Sequence, residues 1–162
     1  TEKLAASAPA AADDLLKTVG MTLVSSVGGA SGPLYGTFFL RMGMTTGAVQ
    51  DLDATGLAAA LRAGLEGIVA RGKPEAGDKT MFDAMSPAVD ALDAAIAGGA
   101  DLAEATQAAA VAAATGRDAT LPLVARKGRA SYLGERSAGH LDPGAASTTL
   151  LFETLAAAIA AS

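Results

Sequence analysis

Few residues in this chain of 162 could do chemistry, so elimination goes far. There is no cysteine, which removes thiolate catalysis, disulfides and Cys-based zinc sites together. The single histidine, His140, has no second His or carboxylate at metal-ligand spacing and reads as a structural hydrogen-bonder in a loop. Neither a G-x-S-x-G nucleophile elbow nor a Walker-type glycine–lysine loop occurs. Phosphoryl transfer remains attractive, because it asks the protein for positioning and charge rather than for a nucleophile. Three stretches suit it. Gly28-Gly29-Ala30-Ser31-Gly32-Pro33 reads as a tight turn opening a helix, with Ser31 as N-cap and Pro33 in the first turn. Such a start presents bare N–H groups and the positive end of a helix dipole, a seat for phosphate. Asp142-Pro143-Gly144 reads as a second helix start, with an acidic N-cap and proline at N1. Arg129 lies in a basic Gly/Ser-rich loop, Arg126–His140, where its planar fork could neutralise phosphate. The plain alternatives are a close-packed helix corner needing no ligand and a solvated basic loop.

The elements that must position these residues are helices. The chain is 51% hydrophobic but 4% aromatic, and most of the apolar content is alanine, which favours helix and close helix packing. Asp13 or Asp14 is expected to cap a first helix with Leu16, Val19, Leu23 and Val27 as its buried stripe. A second helix is expected over about Pro33–Met42, with Leu34, Phe38, Phe39 and Met42 as its apolar face. After a loop at Thr45–Asp51, Asp53 or Thr55 caps a third carrying Leu57, Leu61, Leu65, Ile68 and Val69. Arg71–Thr80, with two glycines, a proline and five charges, is irregular. Thr80 is expected to cap a helix to about Ala97, with Pro87 bending it or lying near its start. Gly98-Gly99 ends it, and Asp101–Glu104 has the form of a capping box. The next helix is expected to stop at Thr115-Gly116, with a further piece over Arg117–Arg126. The last runs from Asp142 to about Ala161 on Leu150, Leu151, Leu155 and Ile159. Ala5–Ala12, with Pro9 inside, is a small-residue connector that reads like the tail of something longer. The architecture implied is all-α, an antiparallel helix bundle, in a single domain over 1–162. No run approaches the roughly 18 apolar residues of a membrane span. The net charge of −5 argues against non-specific nucleic-acid binding. Both fit a cytoplasmic protein with no nucleic-acid or membrane partner.

The same stretches carry a resemblance. Gly28-Gly29-Ala30-Ser31-Gly32-Pro33-Leu34-Tyr35-Gly36, then Gly77-Asp78-Lys79-Thr80-Met81, then Arg126 through Ala145, resemble in order the nucleotide-binding L subunit (DhaL) of dihydroxyacetone kinase, across essentially the whole chain. The resemblance implies an eight-helix antiparallel barrel, here incomplete at its N-terminus, holding nucleotide at one end on helix N-termini and loops. It carries over Gly29, Ala30, Ser31, Gly72, Met81, Arg129, Asp142, Pro143 and Gly144 as nucleotide contacts. It also implies ADP (or ATP) with Mg2+ as cofactors. In the family the metal is held by an Asp-x-Asp-His stretch N-terminal to these motifs. No such stretch occurs here, and Asp13-Asp14 does not stand in that place, so no metal ligand is assigned and nucleotide binding by these residues alone is expected to be poor.

The activity implied is that of an ADP-binding phosphotransferase subunit. It takes phosphoryl from a phosphohistidine carrier (M) protein of the phosphoenolpyruvate-dependent system and passes it to dihydroxyacetone on a K subunit. Two alternatives stand beside it. One is the nucleotide domain of an ATP-dependent dihydroxyacetone (glycerone) kinase, and the other a non-catalytic helical binding or regulatory module whose glycine turns are packing corners.

Overall fold

The computed structural model describes residues 2, 5 and 9–162; the expected connector at Ala5–Ala12 lies partly outside them. The described residues are all-helical, with no strand. They form two compact units, residues 1–73 and 74–162.

Unit 1 holds α1 (Ala12–Ser26), α2 (Ser31–Thr46) and α3 (Ala54–Gly72). The N-cap of α1 is Ala11, without a side-chain bond, and Asp13 and Asp14 sit in the first turn instead. There they still complement the helix dipole, and Asp13 pairs with Lys17 at 2.7 Å. The expected stripe of α1 is only half-buried, and Val27 is exposed; the residue buried outright is Gly20. A Cβ on Gly20 would lie 2.8 Å from Leu40 Cγ and 2.9 Å from the Gly36 carbonyl oxygen. One on Gly43 would lie 2.9 Å from the Asp13 carbonyl, and one on Gly32 would strike the Val27 carbonyl. Late residues of α2 thus meet early residues of α1, as an antiparallel pair packed backbone on backbone. Glycine contact displaces the larger side chains from that seam.

Helix α2 is longer at both ends than the apolar pattern predicts, and its buried aromatic is Phe38, with Met42 below it. Gly64 of α3 makes room for that ring: a Cβ there would be 2.6 Å from Phe38. Asp53 caps α3, accepting the Gly56 N–H at 2.7 Å. Leu57, Leu61, Leu65 and Ile68 are buried as expected, whereas Val69 is exposed.

Unit 2 holds α4 (Phe82–Ala97), α5 (Leu102–Ala119), a 3-10 helix (Arg129–Ser137) and α6 (Pro143–Ala160). Met85, Val89 and Leu92 of α4 are fully buried, and Pro87 sits inside the helix, in its second turn. Gly98 caps the end of α4, and Gly99 follows at φ +86°, a conformation that suits glycine. The capping box of α5 is formed on both sides: Glu104 N–H reaches Asp101 Oδ1 at 2.8 Å and Asp101 N–H reaches Glu104 Oε2 at 3.2 Å.

Helix α5 does not stop at Gly116. It runs unbroken to Ala119, and no separate helix forms over Arg117–Arg126. Gly116 is instead the point of closest approach to α4, where a Cβ would strike the Asp83 carbonyl and lie 3.0 Å from Ala84 Cα. The face of α6 also differs from expectation. Ala145, Thr148, Thr149, Phe152 and Ala156 are buried, while Leu150 is 63% exposed. Small residues bring α6 close to α5, and the Thr149 hydroxyl is satisfied by the Ala113 carbonyl at 3.1 Å and by Ala145 at 3.0 Å.

Candidate functional site

The start of α2 differs from the starts of the other described α-helices. Gly29 turns the backbone at φ +71°, and Cβ atoms built on Gly28 and Gly29 would meet nothing within 4 Å. The N-cap is Ala30, not Ser31, and no side chain caps it. Ser31 is the first helical residue, with Gly32 and Pro33 completing the turn, and the backbone bond from Leu34 N–H to the Ala30 carbonyl spans 3.1 Å. The N–H groups of the first turn have no intrahelical acceptor. The other described α-helices all carry a carboxylate at this end: Asp13 and Asp14 in α1, Asp53 at α3, Asp83 in α4, Asp101 and Glu104 at α5, and Asp142 at α6. Helix α2 has none. A positive helix end without a carboxylate is the kind of terminus that can seat an anion.

Gly72 is the last residue of α3. Gly64 abuts Phe38 and Met42 while Gly67 abuts Thr37 and Arg41, so α3 runs back along α2. That direction brings Gly72 to the end of unit 1 that carries Gly29, Ala30 and Ser31.

In unit 2, the loop ahead of α4 is built on carboxylates. Asp83 accepts the Gly77 N–H at 2.6 Å and the Thr80 N–H at 2.7 Å. The Thr80 hydroxyl accepts the Phe82 N–H at 3.2 Å, although the backbone places Met81 at the N-cap. Met81 is buried against the start of α6: a Cβ on Gly144 would lie 3.0 Å from Met81 N and 3.3 Å from its Cβ. Met81 and Gly144 therefore meet. Asp142 caps α6, accepting the Ala145 N–H at 2.7 Å, and its own N–H is held by Thr120 Oγ1 at 3.0 Å. Pro143 follows at N1 and is exposed. Burial pushes the Asp142 carboxyl above its ordinary range; the N–H groups of Ala145 and Gly144 oppose this, Asp83 adds to it, and Lys79 opposes it.

The basic stretch Arg126–His140 is not a plain loop. It contains a 3-10 helix from Arg129 to Ser137, interrupted at Gly134, whose φ is +54°. Arg129 is its first residue and is exposed, as are Arg126 and Arg136. His140 is also exposed, on the turn ahead of α6. Two buried residues, Lys79 and Ser137, lie within the motif stretches but received no role from the sequence. A polar side chain inside a Gly-rich polar loop gives no sequence signal of burial, so only the folded chain reveals them.

Among the described residues there is no group of three or more His, Cys, Asp or Glu side chains that could hold a metal ion. Mg2+ held by a carboxylate cluster therefore does not fit the described residues. Nor is any helix of the described residues long and apolar enough to cross a membrane.

Comparison with known proteins gives the family. The sequence matches the DAK2 domain family over residues 1–157. It is 48% identical to the ADP-binding subunit DhaL of the PEP-dependent dihydroxyacetone kinase of Escherichia coli K12, over 97% of this chain and 75% of that protein. It is 52% identical to the corresponding subunit of kinase 1 of Listeria innocua, over 91% of this chain and 68% of that one. The crystal structure of the dihydroxyacetone kinase of C. freundii superposes with a TM-score of 0.66 at 29% identity, covering 90% of this chain. The chain spans about a quarter (24%) of that kinase, which has also been solved with AMP-PNP and Mg2+. These likenesses show that the chain belongs to the DAK2 domain family and is of the DhaL type.

Proposed function

We propose that this chain is the ADP-binding phosphotransferase subunit of a phosphoenolpyruvate-dependent dihydroxyacetone kinase. The observation that carries the reading is the start of α2, which lacks the carboxylate that the other described α-helices carry at the N-cap or in the first turn, and which opens from a glycine turn. ADP held there would serve as a standing coenzyme, accepting phosphoryl from a phosphohistidine carrier and releasing it to dihydroxyacetone on a K-type subunit. The residues of this chain bind and orient. The N–H groups of Ser31 and Gly32 face phosphate oxygens with the dipole of α2 behind them. Ala30 and Gly29 keep the approach free of side chains. Within unit 2, Asp142 keeps the α6 start rigid by satisfying the Ala145 N–H, and the resemblance adds Met81 as a contact to the base and Arg129 as a positive charge for phosphate. Charge placed where the transition state develops it is the main help a protein gives this reaction.

Calorimetry on the intact protein, with ADP and with ATP in the presence of Mg2+, tests the reading. Tight ADP and weaker ATP binding supports a coenzyme-type transferase. Equal exchange of the two favours the ATP-dependent kinase domain, and no binding of either overturns the nucleotide assignment. Association with a K-type subunit in gel filtration is expected; its absence counts against the relay.

A further inference from the structure

Lys79 is 2% exposed and lies in unit 2, in the middle of the irregular stretch before α4. Its backbone takes φ +62°, the left-handed region that side chains other than glycine seldom adopt. Its ε-ammonium donates to two backbone carbonyls far away in sequence, Leu123 at 2.9 Å and Ser137 at 2.5 Å. These two carbonyls bracket the 3-10 helix that begins with Arg129.

The surrounding bonds tighten the same bracket. The Ser137 hydroxyl accepts the Ala125 N–H at 2.9 Å and donates to the Gly134 carbonyl at 2.6 Å. The Arg126 N–H donates to the Asp78 carbonyl at 3.0 Å, and the Gly139 N–H to the Leu121 carbonyl at 2.8 Å. Lys127 reaches Asp78 at 3.6 Å. Outside the 3-10 helix no regular ladder holds residues 120–140, so the backbone polar groups there rely on scattered turn bonds and on side-chain partners such as these. Simple packing would not select a buried ammonium in a glycine-like conformation, because glycine there avoids both the desolvation and the strain. What a lysine alone supplies at this point is a long reach ending in several donors.

We propose that Lys79 is a positioning residue, whose buried ammonium clamps the Leu123 and Ser137 carbonyls and so sets the placement of Arg129 for the phosphate groups of a bound nucleotide. The proposal rests on the nucleotide reading above. Lys79 does not touch the nucleotide; it acts through the segment it ties. Met81 is placed independently, by α4 and by its contact with Gly144, so the adenine wall does not depend on the clamp.

The test compares ADP with adenosine, which lacks phosphates, by calorimetry on the intact parent protein, Lys79→Met, Arg129→Ala and the double variant, with melting curves for each. Lys79→Met is expected to weaken ADP about tenfold, since two charge-assisted bonds are lost, and to leave adenosine affinity unchanged. The double variant is expected to bind ADP no more weakly than Arg129→Ala alone, because both changes remove the same contact. Unchanged ADP affinity in Lys79→Met overturns the proposal. So does equal weakening of ADP and adenosine, or multiplication of the two losses in the double variant. If Lys79→Met does not fold, Lys79→Arg decides, since its planar fork returns donors but shifts the carbonyls they hold. ADP weakened with adenosine intact supports the clamp; both weakened alike, or neither, overturns it. Failure of the parent to bind ADP overturns the nucleotide reading itself, and the proposal with it.

Discussion

At the scale of single residues, the phosphate seat turns on the charge of one helix terminus. Ser31 stands at the first helical position of α2, where no carboxylate is present. Ser31→Asp puts a like charge against phosphate, and like-charge juxtaposition is worth several kcal/mol, so ADP affinity should fall by about 100-fold or more. The same change should leave melting unchanged or raise stability by about 0.3–1 kcal/mol, because an acid in the first turn favours the dipole. Normal ADP binding by that variant would show that the turn is a packing corner. Asp142 gives a second residue-scale prediction. Its carboxyl is raised above 3.8 chiefly by burial, so the folded chain holds the proton more tightly than the unfolded one. The stability this contributes is fully present below the unfolded value and is lost as pH rises through the folded one. Asp142→Asn keeps an acceptor for the Ala145 N–H but cannot ionise. Melting temperature followed across the acid range should therefore lose this downward component in the variant; an unchanged profile would mean that the carboxyl does not titrate in that window.

At the scale of elements, glycines that look like breakers serve as contacts. Gly116 lies inside α5, against the α4 backbone at Asp83 and Ala84. Gly116→Ala forces a backbone shift and should cost about 1–3 kcal/mol, read as a lower melting temperature. Since Asp83 also holds the Gly77 and Thr80 N–H groups, the shift should reach the loop ahead of α4. Gly28→Ala is the matching control: its Cβ meets nothing and its φ is not left-handed, so the change should stay within about 0.5 kcal/mol. If both variants melt alike, close helix approach is not what Gly116 provides.

At the scale of the whole molecule, binding must appear as stability, because a ligand of the native state alone shifts the folding equilibrium. ADP at about 100 times its Kd should stabilise the intact protein by about 2.7 kcal/mol, and the Ser31→Asp protein should show no such shift at the same concentration. Equal shifts in the two proteins would separate nucleotide binding from the α2 terminus and move the site elsewhere.

The order of the helices and most of their ends were legible in the chain itself. Capping is local chemistry: Asp53, the Asp101–Glu104 box, Gly98-Gly99 and the Asp142-Pro143 start are all decided within four or five residues. The glycine turn at Gly28–Gly29 was legible for the same reason. Which face of a helix is buried was not, because that depends on the neighbour. Glycine seams overrode the leucine stripe of α1, and a Thr/Ala face with one phenylalanine replaced the leucines of α6. Gly116 reads as a stop in sequence and is a contact in space. Lys79 needs partners 44 and 58 residues away before its burial has any meaning. Local bonds are written in neighbouring residues, whereas packing and long-range clamps exist only once distant segments meet.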